Sequence, residues 1–471
     1  MNEERLEQFN SLLKLHQEIE VESPCEINNG IVLFDEASEA EHINYFKSCL
    51  NEIRVEKFVP ASGAATRMFA SVNNADINNL SAEAEEFLLN INSFPFYPLI
   101  QDQLNNSVGG NSADRGYFSW AKITELLFDE NKLNFLKIPK GLVPFHSYNQ
   151  EIRNAFEEHL FSFSEFTQNQ NQATIHYTVQ EEFKQSIQSN LVHFSTNKKI
   201  HTLFEYSTQN PVSDVPALDE EGCLLLNEKG EVFTRPAGHG ALLINLNNLN
   251  GECVFIQNID NIPHASLENK IHKKRELIGG LLLHLVRERN RLYRGILNKD
   301  FSHNNEAINF LNAWFHRRVA NDGGLLLEAL NRPIRICGMV KNSGDPGGGP
   351  FWVRSNGAYS KQIIESSQIQ KNNKNQNHIF SLSTHFNPVD MACNFIDPEG
   401  KKYNLENFTN SSATLVSDKI IFGKKSKIVE LPGLWNGAMW HWNTVFVDLP
   451  SYCFHPVKTV NDLLKEGHNP I

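Results

Sequence analysis

The sequence predicts an α/β fold, a mostly parallel central sheet covered by helices on both faces. Three observations carry that expectation. A short strand, Lys57-Phe58-Val59-Pro60, runs straight into the small-residue loop Ala61–Ala65 and then a helix, the usual opening of a nucleotide-binding α/β domain. The buried-type strand Glu252–Gln257 leads to an acidic residue, Asp260, and strand ends are where parallel sheets bind ligands. Strand and helix patterns alternate along the chain, with no internal repeat.

Taken in order, residues 1–50 read as a polar helical segment with Leu6, Phe9, Leu12 and Leu13 on its apolar face. Residues 51–470 read as one α/β domain with helical insertions at about 70–135 and 265–330. A chain of 471 residues fits that, or two to three domains of about 150 residues. The first insertion is broken by Asn/Gln/Gly-rich stretches such as Asn105–Ser112, and Ile138–Phe145 restarts the α/β pattern. A helix at about 148–168, a strand at Ala173–Val179 and a helix at about 180–190 follow. Short strands are expected at His201–Tyr206, Cys223–Asn227, Val232–Thr234 and Glu252–Gln257. The second insertion aligns Leu281, Leu282, Leu285 and Leu292 on one face. Residues 333–454 return to strands and loops, before a closing helix at about 459–466.

Charge and composition narrow the function. With 43 Lys and Arg against 55 Asp and Glu, the net charge of −12 argues against a duplex nucleic-acid binder. At 40% apolar and 21% charged residues, the chain can bury a core. Seven scattered cysteines without a CxxC pair exclude a zinc ribbon and resemble no disulfide framework. The N-terminal stretch lacks a signal peptide's apolar core, and the longest apolar run, Leu277–Val286, is too short to span a bilayer. A reduced, cytoplasmic protein is expected.

Several segments carry chemistry, each beside a plainer alternative. In Pro60–Met68, small residues after a strand let backbone N–H groups approach an anion, and Arg67 adds a cation that forks onto phosphate oxygens. The absence of a GK[ST] ending disfavours a P-loop kinase or ATPase. A tight strand-to-helix turn would read the same way. Lys140, between Pro139 and Gly141, sits in a stiff turn from which it can reach a polyphosphate, or is an ordinary solvated lysine. The glycines of Arg235–Gly240 permit approach to a base or ribose, and His239 is either a ligand contact or structural. Asp260 suits Mg²⁺ bridged by substrate phosphates, or forms an Asx-turn. Gly344–Pro350 is a closing loop or a mobile hairpin. Phe454–Leu464 presents Lys458 before a helix capped by Thr459 or Asn461. Trp435, Trp440 and Trp442 line a sugar site or pack in the core.

In this order the segments resemble the uridylyl-transferring sugar-1-phosphate nucleotidyltransferases, closest to UDP-N-acetylhexosamine and UDP-glucose pyrophosphorylases. The whole sequence resembles a bacterial family of unknown function placed near them. Gly63-Ala64-Ala65-Thr66-Arg67 is similar to that superfamily's Gly-rich loop ending in Thr-Arg, with Ala64 and Ala65 in place of glycines. Pro139-Lys140-Gly141 is similar to its Pro-Lys-Gly, but Lys140 lies 73 residues beyond Arg67 (140 − 67), far more than is usual there. Gln209, followed by Val215-Pro216-Ala217-Leu218, resembles the uracil-reading Gln and its Leu-Pro-Ala. Pro236–Gly240 resembles the Pro-x-Gly-(Asn/His)-Gly turn, and Ile259-Asp260-Asn261 the Val-Asp-Asn. Ile363–Ile369 and Pro456–Leu464 resemble the Val-Val-Glu-Tyr-Ser-Glu-Ile and Pro-Val-Lys-x-x-Ser-Asp-Leu-Leu stretches.

The resemblance implies a GT-A-like (Rossmann-like) fold and the reaction NTP + sugar 1-phosphate → NDP-sugar + pyrophosphate, with UDP-sugars favoured and Mg²⁺ as cofactor. It implies catalytic roles for Arg67, Lys140 and Lys458 and a metal-holding role for Asp260. Ser62, Gly63, Ala64, Ala65, Thr66, Gln209 and Gly238 would bind the nucleotide; His239, Glu365, Asn387 and Asp390 would face the sugar. A sugar phosphate oxygen is already anionic, so attack on the α-phosphorus needs no general base, only in-line positioning and charge neutralisation. The implied partners are the nucleotide and the sugar phosphate, with no nucleic acid and no membrane. Two alternatives stand beside this. A binding protein that lost the loop glycines would be stabilised by ligand without releasing pyrophosphate. A glycosyltransferase would use Asp260 for the metal of a nucleotide-sugar donor and would not need Arg67 or Lys140.

Overall fold

The computed structural model describes residues 16–470 other than 62, 77–78, 108–119, 150, 169, 171, 210–213, 236–237, 345–346, 356 and 371, together with Glu7, Ser11 and Lys14. The chain is α/β and forms two compact units, each assembled from three separate segments. The first unit takes residues 1–58, 207–256 and 273–451; the second takes 59–206, 257–272 and 452–471.

The first unit holds a mixed, mostly parallel sheet. In hydrogen-bonded order it runs Glu26–Ile27, Gly30–Val32, Asn443–Asp448, Ile334–Lys341, Asp390–Asn394, Cys253–Gln257 and Val55–Pro60. Parallel pairs join Gly30–Val32 to Asn443–Asp448, Asn443–Asp448 to Ile334–Lys341, and Cys253–Gln257 to Val55–Pro60. Asp390–Asn394 runs antiparallel to Ile334–Lys341. Every residue of Cys253–Gln257 is buried, as the continuous apolar run requires of a strand covered on both faces. Phe58, Val254, Ile256, Met339, Met391, Trp442 and Phe446 form the core around it.

Two antiparallel sheets belong to the same unit. One pairs Val21–Pro24, Gly349–Ser355 and Ala358–Ile364; the other pairs Thr234–Arg235, Val215–Leu218, Lys424–Glu430 and Leu415–Ile421. Residues 21–32 therefore depart from the helical reading. Val21 pairs with Val353 and Ile31 with Phe446, partners hundreds of residues away that no local pattern announces. Glu7, Ser11 and Lys14 are helical, in keeping with that reading, and helix resumes after the strands at Glu36–Cys49, where the Asp35 carboxylate accepts from Ser38 N–H at 2.8 Å. Leu6, Phe9, Leu12 and Leu13 lie outside the described residues. Cys223–Asn227 contributes only isolated bridges at Leu224 and Leu226, because left-handed glycines at 222 and 230 turn the chain on either side.

In the second unit, the hairpin Pro144–Tyr148/Glu151–Asn154 leads into the helix Ala155–Phe166, which opens on a capping box of Asn154 and Glu157. Strand Thr174–Val179 and helix Glu181–Lys198 follow. The first insertion contributes helices Ala70–Asn73, Ala82–Leu89, Tyr97–Ser107 and Trp120–Phe128. It has an aromatic core of its own, in which the Phe96 ring lies 5.1–6.4 Å from those of Phe69, Phe87, Phe94 and Phe135. The later helical block, which from Lys273 onward belongs to the first unit, consists of Glu268–Leu297, Ser302–Phe315 and Gly323–Leu330, with Leu281, Leu282, Leu285 and Leu292 buried. No helix among the described residues is long and apolar enough to cross a membrane. The closing turn Val460–Leu464 is a 3₁₀ helix, capped reciprocally by Thr459 and Asp462.

Candidate functional site

Four sequence-distant loops of the second unit converge. Ala61, just past the end of Val55–Pro60, donates its N–H to Thr178 O at 3.0 Å, which sets the start of the loop. Ala64 then bridges to Pro139: Ala65 N–H donates to Ile138 O at 3.2 Å, and Lys140 N–H donates to Gly63 O at 2.9 Å. The long separation between Arg67 and Lys140 is thus closed, because the inserted helices leave and return at one point. Gly141 is constrained by packing. A Cβ there would fall 2.6 Å from Phe156 Cε2 and 3.0 Å from Ile259 Cγ1, so only glycine lets this turn lie against the 259–261 loop.

Lys140 Nζ meets Asp260 Oδ2 at 2.9 Å, with the two side chains 14% and 27% exposed. Asp260 O accepts from Val457 N–H at 3.0 Å, and Asn261 Oδ1 accepts from His455 N–H at 2.8 Å. Val460 N–H donates to Met68 O at 2.9 Å. The Lys458 segment is therefore fastened to both the Asp260 loop and the Arg67 loop. Lys458 Nζ lies 5.7 Å from the centre of the Phe454 ring. Arg67 is exposed and makes no hydrogen bond or ion pair among the described residues, while Thr66 Oγ1 donates to Leu136 O at 3.2 Å. Ser62 lies outside them. The result is three cations and one carboxylate on neighbouring turns, an arrangement suited to a polyphosphate.

A second cluster lies within the first unit. His239 Nδ1 accepts from Leu434 N–H at 2.9 Å, and its ring stacks on Trp435 with centroids 4.1 Å apart. The neutral ring then carries its proton on Nε2, which lies 3.8 Å from Glu365 Oε1. Burial pushes His239 down to about 4 and Glu365 upward, so His239 is uncharged at neutral pH. Gln368 Oε1 accepts from Glu365 N–H at 3.0 Å and from Asn436 Nδ2 at 3.1 Å, fixing the turn. Gly348 O accepts from Asn387 N–H at 2.8 Å, and a Cβ on Gly348 would sit 3.2 Å from Glu365 Cγ. His239, Glu365 and Asn387 are thereby joined through Gly348.

The remaining residues are placed differently. Asp390 is buried, its Oδ2 3.6 Å from Arg275 Nε. Gly238 lies against the Glu430 carboxylate, and Gln209 is half-buried after strand Leu203–Thr208. Pro236 and Ala237 of the intervening turn lie outside the described residues. Of the tryptophans, Trp435 stacks on His239, whereas Trp440 and Trp442 are core. Sequence reasoning placed Asn261 and Gln368 inside motifs without giving either a role, and it passed over Asn436. Asn261 adjoins Asp260, and Asn436 stands between close-set glycines at 433 and 437, the signals that could have marked them.

Among the described residues no group of three or more His, Cys, Asp or Glu could hold a metal ion by itself. Asp260 offers a single part-exposed carboxylate, and its Oδ1 makes no hydrogen bond there. That donor set fits Mg²⁺ shared with phosphates, since Mg²⁺ keeps most of its ligands from water and substrate.

The chain is thus an α/β protein that gathers three cations and one carboxylate on neighbouring turns of its second unit. The chain belongs to the family described as a domain of unknown function, DUF4301, whose model matches residues 1–469. Comparison with curated proteins finds no match. Among solved structures, the chain is similar to the uridine diphosphate N-acetylglucosamine pyrophosphorylase of Trypanosoma brucei in complex with an inhibitor. That match has 12% identity, 98% of this chain and 74% of the other covered, and a TM-score of 0.47. It is also similar to a UDP-glucose pyrophosphorylase of Leishmania major in complex with UDP-glucose, at 11% identity, 98% and 74% coverage and a TM-score of 0.46.

Proposed function

We propose that the chain is a nucleotidyltransferase that joins a nucleoside triphosphate, UTP by preference, to a sugar 1-phosphate and releases pyrophosphate. The observation that carries this reading is the Lys140–Asp260 pair at 2.9 Å, held where the Gly63–Arg67 and Lys458 loops also meet. Arg67 and Lys140 neutralise the β- and γ-phosphates and the leaving pyrophosphate, and Lys458 contacts the sugar phosphate or α-phosphate. Asp260 would hold Mg²⁺, which supplies further neutralisation of phosphate charge when bound. Because Ala65 N–H is engaged by Ile138 O, backbone contact to phosphate falls to Gly63 and Ala64, with Ser62 and Thr66 beside them. Gln209 and Gly238 face the base. Neutral His239 donates from Nε2 to a sugar oxygen, with Glu365 and Asn387 completing that side, while Asp390 stays buried against Arg275.

A second reading, a nucleotide-sugar binding protein without turnover, is favoured by one observation: the Lys140 ammonium is already paired with Asp260. The deciding experiment is pyrophosphate release with Mg²⁺, each of the four ribonucleoside triphosphates and a panel of sugar 1-phosphates. Release that needs one nucleotide and one sugar supports the transferase. Silence, with UTP or a UDP-sugar still raising Tm, supports the binding protein; silence without stabilisation rejects both.

A further inference from the structure

Behind the Lys458 segment runs a buried chain of titratable groups that the proposed chemistry does not use. Glu158, His146 and His468 are 2%, 0% and 2% exposed. His146 Nδ1 lies 2.8 Å from Glu158 Oε1, His146 Nε2 lies 2.9 Å from His468 Nδ1, and His468 Nε2 lies 3.0 Å from His455 O.

The geometry fixes the number of protons. A carbonyl only accepts, so His468 Nε2 carries a hydrogen. A neutral imidazole has one N–H. His468 Nδ1 is therefore bare and accepts from His146 Nε2, which leaves His146 Nδ1 bare as well, facing the carboxyl group. Two lone pairs cannot share that gap, so one further proton sits between Glu158 and His146. Burial pushes Glu158 up to about 7 and holds His146 and His468 well below their ordinary range, which places the proton on the carboxyl.

The surrounding groups are few. Tyr148 OH donates to Glu158 Oε1 at 2.6 Å, and Arg153 Nη1 lies 3.5 Å from Oε2. His264 stacks on Tyr148 and stands edge-on to His146 at 5.6 Å, while the His455 ring is 6.3 Å from that of His468. Glu157, Glu268 and Asp462 act on the chain through charge.

Removing the proton has a directional result. His146 must turn an Nδ1–H toward the new carboxylate, which bares its Nε2. His468 must then carry its hydrogen on Nδ1, and its bare Nε2 faces His455 O. The bond to His455 is lost three residues before Lys458. We infer that Glu158, His146 and His468 are positioning residues, a one-proton latch that holds the Lys458 segment and loosens it as pH rises past neutrality. Its effect on turnover rests on the role proposed for Lys458; its effect on the segment does not.

The test is hydrogen exchange of the full chain at pH 6 and pH 8, corrected for intrinsic exchange and read on peptides spanning residues 453–461. Wild-type protection there should fall about tenfold at pH 8, the worth of one buried hydrogen bond. Glu158→Gln, whose amide donates at either pH, should stay protected at both; His468→Phe should be loose at both. Equal wild-type protection at the two pH values overturns the latch, as does a Glu158→Gln variant that loosens like wild type. Should Glu158→Gln not fold, the wild-type comparison decides alone. A segment that loosens in a protein releasing no pyrophosphate would count against the transferase and leave the latch standing.

Discussion

Lys140 is the side chain on which the proposed chemistry depends most. Removing one electrostatic stabiliser of a phosphoryl centre costs about 10²–10³ in rate, so Lys140→Ala should lose that much turnover while melting as wild type does. Its pair with Asp260 is part-exposed, and Asp260 left alone can recruit water. Unchanged pyrophosphate release by Lys140→Ala would sink the assignment. Gly141→Ala tests the packing beside it. The added methyl meets Phe156 and Ile259, and overpacking of this kind costs about 1–3 kcal/mol, measurable by urea denaturation. The turns and strand ends that carry Arg67, Lys140, Asp260 and Lys458 were readable in the sequence, while their convergence rests on long-range pairing. Asn387 and Asp390 were not separable. They are three residues apart, yet one bonds Gly348 and the other faces Arg275, and only the folded chain decides which.

The element that decides how the site is assembled is the inserted helical block. Its aromatic core reaches from Phe69, two residues past Arg67, to Phe135, three residues before Ile138, so it clamps the Gly63–Arg67 and Pro139–Gly141 loops together. Phe96→Ala should cost about 3–5 kcal/mol and weaken nucleotide-induced stabilisation along with it, read as the shift in Tm on adding UTP. Normal nucleotide stabilisation in a destabilised Phe96→Ala protein would show that the block is independent of the loops. The helices of this block were readable from their periodicity. Their function as a clamp was not, because the bridge between Ala64 and Pro139 is a long-range pairing. The strands at 21–32 were missed for the same reason: their partners lie near the other end of the sequence.

Across the whole molecule, buried titratable groups bend the pH dependence of stability in opposing senses. The folded-state pKa values of His239, His146 and His468 are lowered, so below about 6.5 the unfolded chain binds more protons and stability falls as pH falls. Glu158, raised to about 7, is protonated when folded and ionised when unfolded between about 4.5 and 7, so its contribution falls as pH rises through that window. Lys361, buried with its ammonium donating to Trp314 O, is lowered to about 8. Between about 8 and 10.5 the unfolded chain holds more protons there, so the Lys361 contribution rises with pH, against the falling contribution above about 9 of the buried thiols of Cys25, Cys253, Cys337 and Cys393, which burial raises. Lys361→Met should therefore make stability fall more steeply with alkaline pH than in wild type in a series of melts; an unchanged slope would show that Lys361 does not contribute. The interleaved order of segments has a consequence for biosynthesis. Residues 452–470, which complete the second unit, emerge from the ribosome after every segment of the first. A nascent chain can therefore own Lys140 and Asp260 for much of its translation while still lacking the strand of sequence that carries Lys458. Competence would then wait on the emergence of residues 452–470 rather than on the earliest folding event.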